Sequence, residues 1–218
     1  MSTFSCIGRA PALRRAALGL ARAAAALALV ACAGCGAPPL VHLHSLLPAD
    51  RPQPREGAPA PGQGPAFVID SLKVPAQVDQ PQWLVRMPDG SLALLEQDRW
   101  ASPLPDEMRE ALLEILRLRF GAVETRTVAP NTALWRLRID VTRFDSAPGM
   151  ASLEATWTVT PRAPETSALR CSAYFTERAE GAMSALAEAH RRNVARLGDA
   201  IGEELLALQR GERARCPS

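Results

Sequence analysis

Residues 135–142 read Trp-Arg-Leu-Arg-Ile-Asp-Val-Thr, an alternation of apolar and polar side chains that decides the fold class. Successive side chains of a strand point to opposite faces of its sheet, so this stretch predicts a strand with one buried and one polar face. The alternation recurs at residues 153–159 after a turn at 146–149, and at residues 169–175 after a connection at 161–164. Three such segments in succession predict an antiparallel meander.

Shorter strands are predicted nearer the N-terminus. Residues 40–46 and 67–74 each have a strand-like apolar pattern. Residues 83–86 and 91–95 flank Pro88-Asp89-Gly90, a combination typical of a β-hairpin.

Two amphipathic helices are also predicted, because apolar residues recur at helical spacing over residues 104–118 and 183–208. The carboxylate pairs Asp106/Glu107 and Glu203/Glu204 are expected on solvent-exposed helix faces. Strands interspersed with two such helices predict an α+β fold, with a mixed, mostly antiparallel β-sheet and both helices packed on one face. We expect a single domain over residues 40–218, interrupted by a proline- and glycine-rich loop at residues 48–66.

Residues 1–31 resemble the signal peptide of a bacterial lipoprotein precursor. Arg9, Arg14 and Arg15 precede a run of alanine and leucine, and Leu29-Val30-Ala31 stands directly before Cys32. We expect cleavage before Cys32, lipidation of its sulfur, and a tether over residues 32–39. The alternatives are an ordinary secretory signal, an uncleaved membrane helix, or lipidation at Cys35. By the enterobacterial sorting rule, Ala33 indicates the outer membrane, so a Gram-negative lipoprotein on its periplasmic face is expected.

The composition weighs against nucleic-acid binding. The formal net charge is +2, with 25 basic and 23 acidic residues. Cleavage removes four arginines and leaves 21 basic groups, which lowers the charge to −2. Neither value indicates the concentrated basic surface that nucleic-acid binding requires.

Three cysteines besides Cys32 remain after cleavage, in a compartment that favours disulfides. Cys171 shares the apolar face of its predicted strand, and Cys216 follows the helix expected to cover that sheet. We therefore predict a Cys171–Cys216 disulfide; the alternative pairs Cys35 with either of them.

No catalytic or cofactor motif is present in the sequence, so a non-enzymatic protein without a cofactor is predicted. His42 and His44 lie on one strand face, but no third ligand is near them in sequence, so no metal site is predicted. His190 falls on the apolar stripe of the last helix, which favours a hydrogen-bonded core histidine. Trp135 and Trp157 are expected in the core, whereas Trp83 and Trp100 fit either the core or a partner contact.

Two motifs resemble the PqiC/YmbA-type auxiliary lipoproteins of ABC transport systems. The first is Asp79-Gln80-Pro81-Gln82; the second runs from Asp98-Arg99-Trp100 to Pro103-Leu104. The likeness extends over the mature chain, although His42-Leu43-His44 replaces an aromatic, commonly tyrosine-rich strand.

The resemblance implies a lipoprotein adaptor that works with MCE-domain proteins and inner-membrane transporter subunits in lipid transport between membranes, supporting outer-membrane integrity. It also implies association into a homo-oligomeric ring. The motif residues are then either structural or part of a partner surface. The alternative function is a periplasmic lipoprotein that binds a lipid or small molecule in its own sheet–helix groove.

Overall fold

The structure is a computed structural model that describes residues 39–126, 132–162 and 168–217. The predicted signal peptide, most of the tether, and Cys32 and Cys35 lie outside these residues. Contacts group the residues from Val41 onward into one compact unit.

The described residues form eight strands and two helices. In chain order these are β1 (His42–His44), β2 (Ala66–Lys73), β3 (Gln82–Arg86), β4 (Leu92–Trp100), α1 (Leu104–Phe120), β5 (Val123–Glu124), β6 (Leu134–Ala147), β7 (Gly149–Pro161), β8 (Leu169–Ala179) and α2 (Met183–Gln209). The predicted α+β class, the hairpin, the meander and both helices are confirmed. Neither described helix has the length and apolar character needed to cross a membrane.

The strands form two sheets rather than the single one predicted. The larger has the order β5-β2-β6-β7-β8, with β2 parallel to both of its neighbours and the meander antiparallel. The smaller has the order β1-β4-β3, with β1 parallel and β3 antiparallel to β4. These parallel pairings join segments far apart in sequence, so the local alternation of apolar and polar residues does not predict them.

The core lies between the larger sheet and the helices. Leu137, Ile139 and Val141 of β6 are buried, whereas Arg138 and Asp140 between them are exposed. Helix α2 packs across β7 and β8, and α1 packs against α2 and the edge of the sheet. The alternation that predicted the meander therefore separates the core from solvent.

The two helices approach closely at glycines of α2. A Cβ atom at Gly198 would lie 2.8 Å from Ile115, and one at Gly202 would lie 2.4 Å from the Phe120 ring. Either distance is far inside van der Waals contact. Glycine is therefore what allows α1 to lie this close to α2.

The proline- and glycine-rich loop is attached to the end of α1. Residues 48–65, all described, contain no helix or strand. The amides of Gly62 and Gly64 donate to the carbonyl of Gly121 at 3.1 and 2.8 Å. Gly121 ends α1 with a φ of 64°, a left-handed conformation that glycine adopts without strain.

Candidate functional site: the aromatic junction

The two sequence motifs meet where the smaller sheet joins the rest of the domain. The amide of Trp100 donates to the carbonyl of Pro81 at 3.0 Å, and Gln82 pairs with Arg99 across the sheet. The amide of Ala101 donates to the carbonyl of His44 at 2.8 Å, which joins β1 to the same point. The second motif therefore connects both neighbouring strands.

Five rings form an aromatic junction inside this region: His44, Trp83, Trp100, Phe144 and His190. The centroids of Trp83 and Trp100 are 4.3 Å apart, and His44 meets Trp83 edge-on at 4.8 Å. Phe144 stacks on His190 at 4.0 Å. Such contacts stabilise a fold beyond the area that they bury. Because Trp83 and Trp100 are both buried, the structure favours the core position for them over the partner contact.

A buried chain of two hydrogen bonds crosses the aromatic junction. Trp83 Nε1 donates to Ser146 Oγ at 2.7 Å, and that oxygen lies 2.8 Å from Nε2 of His190. Burial lowers the pKa of His190 to about 3, so its ring is neutral at physiological pH. The prediction of a hydrogen-bonded core histidine is confirmed.

A serine hydroxyl beside a histidine can begin a nucleophilic pair if a third group orients the histidine. Here Nδ1 of His190 has no hydrogen-bond partner among the described residues, and both side chains are buried. The arrangement therefore holds β3, β6 and α2 together and presents no reactive atom at the surface.

Asp98 connects the two histidines of β1. Its Oδ1 lies 2.8 Å from Nε2 of His44 and 3.6 Å from Nδ1 of His42. No carboxylate lies near these histidines in sequence, because Asp98 is brought to them only by the parallel pairing of β1 with β4. The contact fixes β1 on the smaller sheet.

Glu107 corrects one sequence expectation, since it is buried rather than solvated. Its carboxylate accepts hydrogen bonds from Ser45 Oγ, the Leu46 amide and Ser102 Oγ, at 2.7, 2.8 and 2.9 Å. These bonds hold the chain after β1 against the start of α1. A negative charge there is also favourable near the positive end of the helix dipole.

The remaining motif residues differ in exposure. Asp79, Pro81 and Pro103 are exposed, whereas Leu104 is fully buried. Gln82, Asp98 and Arg99 are half-buried. The structure thus brings the motifs together around a core ring and leaves only part of them on the surface.

Glu204 is also buried, contrary to the predicted solvent face. Its Oε2 accepts from Trp157 Nε1 at 2.7 Å, and burial raises its pKa to about 7.

Nearby, Cys171 and Cys216 are joined as a disulfide. Their sulfur atoms and the Glu204 carboxylate lie within 4.8 Å of one another, but sulfurs bonded to each other are not available as metal ligands.

An open cleft of about 560 Å³ lies between α1 and the β5 edge of the larger sheet. Phe67, Leu113 and Val123 contribute apolar lining, and Glu110 and Glu124 contribute carboxylates. This is the groove between sheet and helix that the alternative function would need.

Comparison with known proteins gives the family. A search of curated proteins found no match. Solved structures with similar folds include the following two. One is an uncharacterized protein with 12% identity and a TM-score of 0.58, aligned over 76% of this chain and 99% of its own. The other is a DUF330 protein from Xanthomonas campestris with 16% identity and a TM-score of 0.60, aligned over 78% and 98%. The family model described as "ABC-type transport auxiliary lipoprotein component" matches residues 46–202. The chain therefore belongs to the family of ABC-type transport auxiliary lipoprotein components.

Proposed function

We propose that this protein is a non-enzymatic, periplasm-facing lipoprotein adaptor of an MCE/ABC-type system that transports lipids between membranes and supports outer-membrane integrity. The match of residues 46–202 to the auxiliary lipoprotein family carries the proposal. Within the system the chain binds an MCE-domain protein and associates with copies of itself in a ring. The ATPase and permease are separate inner-membrane chains.

The sequence supplies the membrane attachment. Cys32 follows Leu29-Val30-Ala31, so its sulfur carries the lipid and its neighbour Ala33 directs the protein to the outer membrane. More than one acyl chain anchors a protein stably, whereas a single chain gives only marginal binding.

The aromatic junction supports an adaptor role because it organises surfaces without exposing a reactive group. Trp100 and Trp83 are buried, so the motif sets the position of the smaller sheet. The partner is then contacted by exposed residues such as Asp79, which lies just before β3.

Affinity purification from detergent-solubilised envelopes tests this function. The tagged, lipidated protein is expected to copurify with an MCE-domain protein, identified by mass spectrometry, and to run as an oligomer. Cys32→Ser is the matched control: it should lose fatty-acid labelling and leave the membrane fraction. A lipidated protein that remains monomeric and captures no transporter component would contradict the adaptor function.

The cleft beside α1 favours one second candidate, a lipoprotein that holds its own lipid or small molecule. Its volume of about 560 Å³ is in the range of small-molecule sites, and such sites also have apolar lining residues like those of this cleft. Lipid copurifying with a monomer, and lost in Leu113→Glu, would favour this function over the adaptor.

A further inference from the structure

The smaller sheet has an apolar face on each side. Trp83, Val85 and Trp100 are buried on its inner side. Since successive strand residues point to opposite sides, the residues between them form an outer face. Leu84 pairs with Leu94 there, and Leu43 pairs with Arg99. The apolar residues of this outer face are Leu43, Leu84, Leu92 and Leu94, and the exposed Val41 directly precedes β1.

We propose that this outer face lies on the surface of the phospholipid bilayer that holds the lipid anchor. Leu43 is 65% exposed, Leu92 45% and Leu94 42%. Apolar side chains grouped on one exposed face mark an interaction surface, whereas scattered ones do not. The outward side of the larger sheet is different: it carries Arg136 and Arg138 and is polar.

The position of the anchor identifies the bilayer as the occupant, and in this respect the inference rests on the proposed lipidation of Cys32. Val41 follows Cys32 by nine positions. A chain spans at most about 3.3–3.6 Å per residue, so Val41 stays within about 30 Å of the lipidated residue. Val41 also leads into β1, an edge strand of this sheet. The outer face is therefore held near the membrane surface.

The size of the face favours lipid over a second copy of the chain. A stable protein–protein interface needs about 20–30 residues on each side. This face is built from strands of 3, 5 and 9 residues, and only alternate side chains of each strand point to it. A small apolar face suffices at a membrane, because the acyl anchor already supplies most of the attachment.

Arg99 adds polar chemistry suited to lipid headgroups. Its Nε donates to the backbone carbonyl of Glu96 at 3.1 Å, and its backbone pairs with Leu43 across the sheet. A guanidinium binds phosphate oxygens through two parallel hydrogen bonds. The face thus combines leucines for the acyl–headgroup boundary with a cation for the phosphate.

Site-specific photocrosslinking in the lipidated full chain tests the proposal. The photoreactive residue p-benzoylphenylalanine replaces Leu43 or Leu92, and Tyr174 serves as the matched control. Tyr174 is 55% exposed but lies on the larger sheet, so exposure is comparable and position differs. Cells are labelled with ³²P-phosphate to detect phospholipid adducts, and with radioactive palmitate to verify the anchor.

We expect phospholipid adducts at positions 43 and 92 and their loss at position 174, with palmitate labelling equal in all three variants. Palmitate-labelled protein without adducts at 43 and 92, or with equal adducts at 174, would overturn the docking proposal alone. Adducts to a second copy or to another protein would also overturn it. Loss of palmitate labelling in otherwise native protein would remove the anchor from the proposed function, and the docking with it.

Discussion

Glu204→Gln should make the protein more stable above neutral pH and leave its stability nearly unchanged in acid. Glu204 is 2% exposed, and burial raises its pKa from 4.5 to about 7. The folded state therefore binds this proton more tightly than the unfolded state does. Wild-type stability is lost as pH rises through this interval, because the buried carboxylate must ionise.

The magnitude follows from the difference between the two pKa values. Each pKa unit corresponds to about 1.4 kcal/mol, so ionisation of Glu204 lowers the free energy of unfolding by about 3 kcal/mol between pH 4 and pH 8. Glutamine cannot ionise, and its carbonyl can still accept the hydrogen bond from Trp157 Nε1. The variant thus retains the contact and avoids the charge.

His190 contributes the opposite trend. Its pKa is lowered from 6.5 to about 3, so the unfolded state binds this proton more tightly and stability falls as pH drops through that interval. This contribution is common to the wild type and Glu204→Gln. Subtracting the two free energies of unfolding at each pH therefore isolates Glu204.

Urea unfolding followed by tryptophan fluorescence, at several pH values from about 4 to about 8, measures the difference. Glu203→Gln is the matched control, because Glu203 is the adjacent residue but is exposed and pairs with Arg55 at the surface. It should change stability little throughout. A difference between wild type and Glu204→Gln that does not vary with pH would refute the reasoning.

Three further predictions concern packing and covalent structure. Trp100→Ala should lower the free energy of unfolding by about 3–5 kcal/mol and Trp100→Phe by less; an unchanged melting temperature for the alanine variant would contradict the core position. Gly202→Ala should destabilise by about 1–3 kcal/mol because the added Cβ meets the Phe120 ring, and a second change, Phe120→Leu, should recover part of the loss in thermal melts. Cys216→Ser should destabilise by about 3–4 kcal/mol, because the Cys171–Cys216 disulfide closes a separation of 45 residues; non-reducing peptide mapping that finds both thiols free in native protein would contradict it.

The elements that sequence predicts well are those with a strong local period. Residues 135–142 alternate over a long strand, and α2 repeats apolar residues at steps of three and four, so both appear where expected. The position of β2 between β5 and β6 depends instead on parallel pairings. Such pairings are decided by which distant surfaces pack together, and the two-residue β5 is too short to show a period.

For the two buried glutamates, the position in the helix and the charge of the side chain give opposite predictions of burial. Glu107 lies three positions after Leu104 and four before Ala111, within the apolar stripe of α1, and Glu204 occupies a similar place in α2. Their positions therefore predict burial, while their charge predicts exposure. Burial prevails because partners distant in sequence satisfy each carboxylate: Ser45 for Glu107 and Trp157 for Glu204.

The motif around Trp100 can be recognised from the sequence, whereas the proposed membrane-facing surface of the smaller sheet cannot. Trp100 is buried, so its role is to pack inside the aromatic junction rather than to contact a partner. Leu92 and Leu94 look like ordinary strand residues, because the alternation of β4 does not say which side faces the core. Trp83 decides the side: its ring enters the junction opposite Leu95, which turns Leu92 and Leu94 outward. The surface proposed to meet the membrane is thus fixed by the buried motif and becomes visible only once the pairing of β3 with β4 is known.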